Sequence, residues 1–390
     1  MKCIELHADW NPKSEYELTE RERTEKLALT GTSVWQNPEI RVTESQRPDP
    51  DSNEVLVRVQ FAGICGSDLQ MTETGADGYT RYSAYSSFPN IIGHEFSGTV
   101  ADIGSNVTQF EKGDIVTSEV TDYCGVCEMC RSSRPAQCTS FDEIGFTTPG
   151  AFAEYVTLPE KLLWDVSPLR NFYETDEETM MAAATVEPST ITYNALYVRT
   201  NEIKPGAYYV FHGGGPIGLT GINVAKGCGA SKVILLEPVK ERREIARKLG
   251  FSHAYDPTKE SIRSKIMEIT DGKGVDVHAE TAGVPEKTYP LISDTLAAEG
   301  AVVQIGISDQ SPNQDLRYLQ SKHGQILGSQ GHTGHGVYPR VIRAMAAGKI
   351  DNLGLVTDIY ELSEIEAALE DARTRRGGKI LVEVGGGNNE

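Results

Sequence analysis

The chain has 390 residues, 39% of them hydrophobic and 24% charged, which is enough for two ordinary domains and too much for a single small binding module. Its 37 basic against 56 acidic residues leave a net charge of −19, which repels a phosphate backbone, so nucleic acid is not an expected partner. No run approaches the ~18 consecutive apolar residues of a membrane span, and the start MKCIELHADW lacks the apolar core of a secretory signal; a cytoplasmic protein without membrane contact is expected.

Taken in chain order, the first forty residues are charged and poorly periodic, and read as an extension that decorates a domain more than it builds one. From Glu54 the pattern alternates, with Val55, Val57, Val59 and Phe61 on one face. Short extended runs such as SGTVADIG and GDIVTSEV follow, separated by Gly, Asn and Asp. This predicts a β-rich domain of short strands.

Within it, four of the seven cysteines (Cys124, Cys127, Cys130 and Cys138) fall inside fifteen residues. An odd count, clustered in a long acidic chain, favours metal binding over a disulfide framework. Four soft anionic ligands in one short loop suit a tetrahedral ion, zinc above all, and leave no open position for substrate. An iron–sulfur cluster or a redox cysteine pair is the competing reading.

A second set is more dispersed. Cys65 lies in GICGSD just past an alternating strand, and His94 and Glu95 are adjacent in GHE about thirty residues later. Thiolate, imidazole and carboxylate make an open zinc site whose fourth position is left for water or a substrate oxygen. Glu187, in VEP, is a fourth candidate. Because Cys65 and Glu95 already neutralise a divalent ion, Glu187 is expected to hold the metal's water or exchange with it. Taken singly, each of these residues is as well explained by ordinary core or surface packing.

Near Ile191 the texture becomes strand then helix, repeatedly: YYVF, PIGLTGINVAKGCG, KVILLE, VKERREIARKLG, HAY, a helix around Ile262 to Ile269, VDVHAE and AVVQIGI. Such units imply a parallel sheet with right-handed crossovers. After YYVF, Gly213, Gly215 and Gly218, with Pro216 and Ile217 between them, fit G-x-G-x-x-G at the mouth of a helix, whose positive end suits a pyrophosphate. The next strand ends in Glu237, twenty-four residues beyond Gly213, where a carboxylate accepts both ribose hydroxyls of NAD. Arg242 and Arg243 keep NADP open. The tail from Tyr338, with helices around Val341 to Ala347 and Ser363 to Ala372 and a last strand KILVEV, is expected to return to the first domain. The predicted division is 1–190 with 337–390, and 191–336.

GICGSD, GHEFSG, the four-cysteine lobe, VEP and GGGPIG, in this order, resemble the zinc-dependent medium-chain dehydrogenase family over about residues 40 to 390. That resemblance implies an α/β protein with a GroES-like β-rich catalytic domain and a doubly wound Rossmann domain. It also implies two zinc ions per chain, one catalytic at Cys65, His94 and Glu95 with Glu187 as outer partner, and one structural at Cys124, Cys127, Cys130 and Cys138. The cofactor would be NAD, held by Gly213, Gly215, Pro216, Ile217, Gly218, Glu237 and Arg242, and the assembly a homodimer or homotetramer. GHE with VEP looks like the polyol branch, the sorbitol and threonine dehydrogenases. HADW, the insertion DGYTRYSAYSSFPN and the late loop GSQGHTGHG look closer still to its inosose-oxidising members.

The resemblance implies oxidation of a secondary alcohol on a polyol or cyclitol to a ketone. The alternatives are an aminocyclitol, a sugar alcohol or L-threonine as substrate, or a nucleotide-binding relative without catalytic zinc. Relatives commonly carry a proton-relaying His where this chain has Gln70, so Ser67 is expected to begin the proton path. His332 and His335, in the late loop, are candidate substrate donors, and Tyr79, Tyr82 and Tyr85 are weaker ones, as tyrosines in a loop are as often packing residues.

Overall fold

The computed structural model describes residues 1–200, 205–259, 261–308, 312 and 315–385. They form two compact units. The first comprises residues 1–187, 358–374 and 380 onward, and the second 188–357 and 375–379.

In the first unit β1 (Lys2–Trp10) pairs antiparallel with β2 (Trp35–Glu44). The opening segment therefore builds structure where decoration was expected: Ile4, Leu6, Val34 and Trp35 are buried in the main core. The charged stretch between these strands hides the pattern because one of its charges is internal. Glu22, fully buried, accepts hydrogen bonds from Tyr16 Oη at 2.8 Å, Thr19 N at 2.8 Å and Leu29 N at 3.0 Å. A carboxylate so satisfied can leave water without the cost of an unpaired charge.

The alternating run forms β3 (Glu54–Gly63), and the short helix Gly66–Thr72 follows it. β4 (Asn90–Ile91) joins β1, while β5 (Glu95–Ile103) pairs antiparallel with β3. β6 (Ile115–Ser118) continues that sheet. β7 (Thr121–Tyr123) and β8 (Phe141–Glu143) form a hairpin-like pair around the cysteine lobe. β9 (Tyr155–Pro159) pairs with β3, and β10 (Leu163–Asp165) with β6.

The second unit is a six-stranded parallel sheet. Its strands are β11 (Tyr208–His212), β12 (Lys232–Leu236), β13 (Ala254–Tyr255), β14 (Val275–Glu280), β15 (Leu296–Gln304) and β16 (Gln325–Gly328). Their order, β13-β12-β11-β14-β15-β16, is the doubly wound arrangement in which the chain reverses direction across the sheet beside β11. Helices such as Pro216–Gly227, Lys240–Lys248 and Pro285–Thr295 make the crossovers.

The return to the first unit comes at Asp358, later than the 337 expected from the sequence. The helix Val337–Ala346 stays with the parallel-sheet unit. There Gly227 lies so close to the segment after this helix that a Cβ would meet Lys349 O at 2.3 Å, and Asn223 Nδ2 donates to Asp351 O at 2.6 Å. β17 (Val356–Glu361) and β18 (Lys379–Glu383) then complete the sheet of the first unit, with Leu381 opposite Gly63 on β3. No helix among the described residues is long and apolar enough to cross a membrane.

Candidate active site

The register of β3 on β5 assembles the dispersed cluster. Gly63 sits opposite Glu95, so the chain leaving β3 at Cys65 runs beside the residues entering β5. Sulfur, nitrogen and oxygen ligand atoms of Cys65, His94 and Glu95 all lie within 4.8 Å of one another. His94 and Glu95 are buried, and the imidazole leans on Phe146 with ring centroids 4.7 Å apart.

Asp68, which the sequence reading did not single out, orders this corner. Its Oδ2 accepts from Cys65 N at 2.8 Å, and Oδ1 lies 3.8 Å from His94 Nδ1. Cys65 and Asp68 close a capping box at this strand-to-helix turn, but a cysteine N-cap falls outside the usual S/T-x-x-E/Q pattern, so no sequence signal pointed to it. Ser67 Oγ is sealed from solvent and meets no hydrogen-bond partner among the described residues.

Burial opposes a charge on His94, yet the Cys65 sulfur, through hydrogen bond and charge, together with Asp68 and Glu187, raises the imidazole from 6.5 to about 9. A buried pocket that draws a proton onto imidazole against desolvation is one built to hold positive charge. The donor set, a soft thiolate with imidazole and carboxylate, suits zinc. Glu187 is buried and acts on His94 through its charge, but stands outside the three-residue ligand cluster.

The cysteine lobe is closed. Cys127 Sγ lies 3.5 Å from Cys130 Sγ and 3.9 Å from Cys138 Sγ, and Cys124 Sγ lies 4.0 Å from Cys130 Sγ. Four sulfurs each ~2.3 Å from a tetrahedral zinc stand about 3.8 Å apart, so these residues fit the ion. Main-chain N–H groups of Cys127 and Ser140 point at Cys124 and Cys138 sulfurs, each at 3.4 Å. Main-chain hydrogen bonds from Cys130 and Thr139 draw Cys127 down to about 5, while burial and the neighbouring sulfurs push Cys130 up to about 12. The lobe therefore resists holding four thiolates without a cation.

In the second unit Gly213, Gly215 and Gly218 form the turn from β11 into the helix Pro216–Gly227, with Gly215 as N-cap, Pro216 as first residue and Ile217 as second. Gly213 has φ +104°, a region that costs a side-chain-bearing residue dearly. At Gly218 a Cβ would stand 1.9 Å from Gly213 O, so the helix can lie this close only on a glycine.

Glu237 is buried just past β12, and both its oxygens are engaged: Oε2 accepts from Gly214 N at 2.6 Å and Oε1 from Val239 N at 2.7 Å. It ties the glycine turn to the end of the next strand. Arg242 Nε donates to Gly377 O at 3.1 Å, and its guanidinium reaches within 3.8 Å of where a Cβ on Gly215 would stand. Burial lowers this guanidinium from its usual value, against the pull of Glu237.

The late-loop histidines part company. His332 is buried with its ring 5.2 Å from that of Tyr338, whereas His335 is exposed at φ +53°. The insertion tyrosines are occupied by packing. Tyr79 Oη donates to Asn11 O at 2.7 Å, Tyr82 stacks on Phe146, and Tyr85 tilts against Phe141.

Residues 51–168 match the family described as alcohol dehydrogenase GroES-like domain, and residues 216–347 the one described as zinc-binding dehydrogenase. Over 98% of its length the chain is 38% identical to scyllo-inosose 3-dehydrogenase of Thermotoga maritima, covering 99% of that protein. The chain belongs to the zinc-binding dehydrogenase family. It is also 31% identical to sorbitol dehydrogenase of Bacillus subtilis, across 86% of this chain and 90% of the relative. A solved structure of a provisionally assigned alcohol dehydrogenase from Thermotoga maritima superposes with a TM-score of 0.94 at 36% identity, over 98% of this chain and all of that one. Like other zinc-binding dehydrogenases, the chain is an oxidoreductase acting on CH–OH groups, and the pairing of a GroES-like unit with a Rossmann-type parallel sheet is the family's fold.

Proposed function

We propose that this dehydrogenase oxidises a secondary hydroxyl of a polyhydroxylated small molecule, a cyclitol or polyol, to a ketone with NAD, and that the reaction reverses. The observation that carries the chemistry is the Cys65–His94–Glu95 cluster, whose ligand atoms share one 4.8 Å neighbourhood in a pocket that favours positive charge. The relatives named for inosose and sorbitol support the substrate class.

When bound, zinc supplies Lewis acidity that lowers a hydroxyl's pKa, and NAD supplies the hydride acceptor. Cys65, His94 and Glu95 would hold that ion, and Glu187, buried in the same unit, would steady a water there. Ser67 Oγ, sealed and without a hydrogen-bond partner among the described residues, accepts the hydroxyl proton as it hands its own to ordered water or the cofactor ribose, because Gln70 cannot titrate. Glu237 receives the ribose, and its negative charge disfavours a 2′-phosphate, with Arg242 beside the turn. The cysteine lobe would carry a second, structural zinc.

The second unit ends on β16, an edge strand bearing Ile326 at 40% exposure. We assign this edge to self-association, since an unpaired apolar edge strand is a template for a second copy.

The test is NAD reduction screened over inositols, inososes, aminocyclitols, sorbitol and L-threonine, with metal counted on the same preparation. Turnover of a polyhydroxylated ring with two zinc ions per chain is the expected result. One zinc per chain and no turnover would leave a nucleotide-binding relative as the better reading.

A further inference from the structure

Strand β14 ends on a fully buried carboxylate, Glu280, in register between His212 at the end of β11 and Gln304 at the end of β15. A charge taken this far from water persists only where donors surround it, and four do. Oε1 accepts from Ala282 N at 3.2 Å and Val284 N at 3.4 Å, while Oε2 accepts from Gly283 N at 3.1 Å and Gln304 Nε2 at 2.7 Å. Gln304 is fixed in turn, its Nε2 donating also to Gly306 O at 2.7 Å and its Oε1 accepting from Tyr289 Oη at 3.1 Å. Burial pushes the Glu280 carboxyl up, and these donors pull it back. A Cβ on Gly306 would stand 2.8 Å from Glu280 Oε2 and 2.3 Å from Gly283 N, so the loops leaving β14 and β15 close tightly around this one group.

The loop that Glu280 shapes is the seat of the glycine turn. Thr281, next in the chain, donates from its main-chain N to His212 O at 3.0 Å, and its Oγ1 bonds both His212 O and Gly213 O. A Cβ on Gly213 would stand 2.9 Å from Ala282 Cβ and 3.0 Å from Ala282 N, so the turn rests directly on the main chain of residues 281 and 282. All of these residues belong to the parallel-sheet unit. The turn leads into the helix Pro216–Gly227, whose positive end favours a pyrophosphate. Donors of this kind bind well only when their neighbours hold them within about 0.5 Å of the productive geometry.

We infer that Glu280 is a positioning residue for the dinucleotide: its carboxylate, locked by Gln304, fixes the loop 281–284 against which the glycine turn is set. This rests on the proposed NAD site and adds the group that holds the turn in shape from behind. Glu280 is closed to solvent and acts through the loop alone.

Glu280→Gln keeps the size of the side chain and replaces one acceptor oxygen with an N–H2 that must face other donors. Calorimetric titration of the full-length, metal-replete protein with NAD and with ADP-ribose, well below each variant's melting temperature, reads the effect without turnover. Affinity for both ligands falls about tenfold and by the same factor, because the pyrophosphate they share is what meets the turn. Glu280→Asp, which keeps a charged acceptor, gives a smaller loss. Gln304→Met, which removes only the lock, gives about threefold, and adding it to Glu280→Gln costs little more than Glu280→Gln alone.

A carboxylate that merely stabilises the sheet lowers the melting temperature and leaves both affinities unchanged; that result overturns the inference. A loss seen for NAD and not for ADP-ribose places the effect at the nicotinamide and overturns it equally. Should Glu280→Gln not fold, Gln304→Met decides, and unchanged affinities there count against the inference in the same way. Wild-type protein that binds neither ligand sinks the dinucleotide reading instead.

Discussion

His212 Nε2 and His278 Nδ1 lie 3.0 Å apart between neighbouring strands β11 and β14, and His278 Nε2 continues the chain to Thr295 Oγ1 at 3.3 Å. Both rings are buried, and a hydrogen bond between them requires at least one unprotonated nitrogen. Burial lowers His212 from 6.5 to about 3 and His278 well below its ordinary value, the latter helped by His212 itself and by Lys322. His212 is the last residue before the glycine turn, and Thr281 Oγ1 bonds both His212 O and Gly213 O. The pair thus sits directly behind the glycine turn.

Acid should loosen this unit. The unfolded chain protonates these histidines below pH 6.5 and the folded one does not, so their contribution is complete above 6.5 and is lost as pH falls from there toward about 3. Each histidine adds about 1.4 kcal/mol per pH unit to the slope. Chemical denaturation of the wild type at pH 7.5, 6.0 and 5.0, compared with His212→Gln, checks this: the variant should show the shallower dependence. Equal slopes would rule the pair out as its source.

The two proposed metal sites should be separable. Cys65→Ser should lose one zinc and all measurable turnover while binding NAD normally. Cys127→Ser should lose the other and cost the first unit on the order of 4 kcal/mol, as loss of a structural metal does. Metal analysis with limited proteolysis across β7 and β8 distinguishes them; a Cys65→Ser protein without zinc at that site but fully active would remove the catalytic assignment.

Ser67→Ala should reduce kcat by roughly 10²-fold, the lower range of acid–base contributions, with KM and zinc content unchanged. Raising the pH should recover part of the loss, since bulk base can take over the proton. A pH–rate profile parallel to wild type at every point would show that the proton leaves by another route.

Glu237→Ala frees Gly214 N and Val239 N, both held by that carboxylate, and removes the charge proposed to face a 2′-phosphate. We expect the KM for NAD to rise roughly tenfold, about 1.4 kcal/mol, and the preference for NAD over NADP to shrink by at least as much. If both cofactors weaken in parallel, Glu237 shapes the turn without selecting the cofactor.

Much of the site was legible because its motifs are local. The cysteine lobe lies within fifteen residues, and the glycine turn with the acid after the next strand repeats a pattern set by backbone sterics and helix polarity. The opening strand was not legible: in β1 a buried run of Cys3, Ile4 and Leu6 is followed by half-exposed and charged residues, and the stretch after it conceals an internal carboxylate. The return point of the tail was missed because amphipathic helices such as Val337–Ala346 do not declare which sheet they cover.

Sequence by itself determined which residue types are suited to a metal and a dinucleotide, because thiolate softness and glycine's freedom are properties of single residues at short spacing. Only tertiary structure decided which distant groups share a pocket. The pairing of Gly63 with Glu95 brings Cys65 to His94, and backbone donors claim both oxygens of Glu237. Strand register sets Glu280 between His212 and Gln304, and His332 is buried while His335 is left in water. Register and burial are settled by contacts across the whole chain, where desolvation makes each buried polar atom find a partner or wait for a ligand.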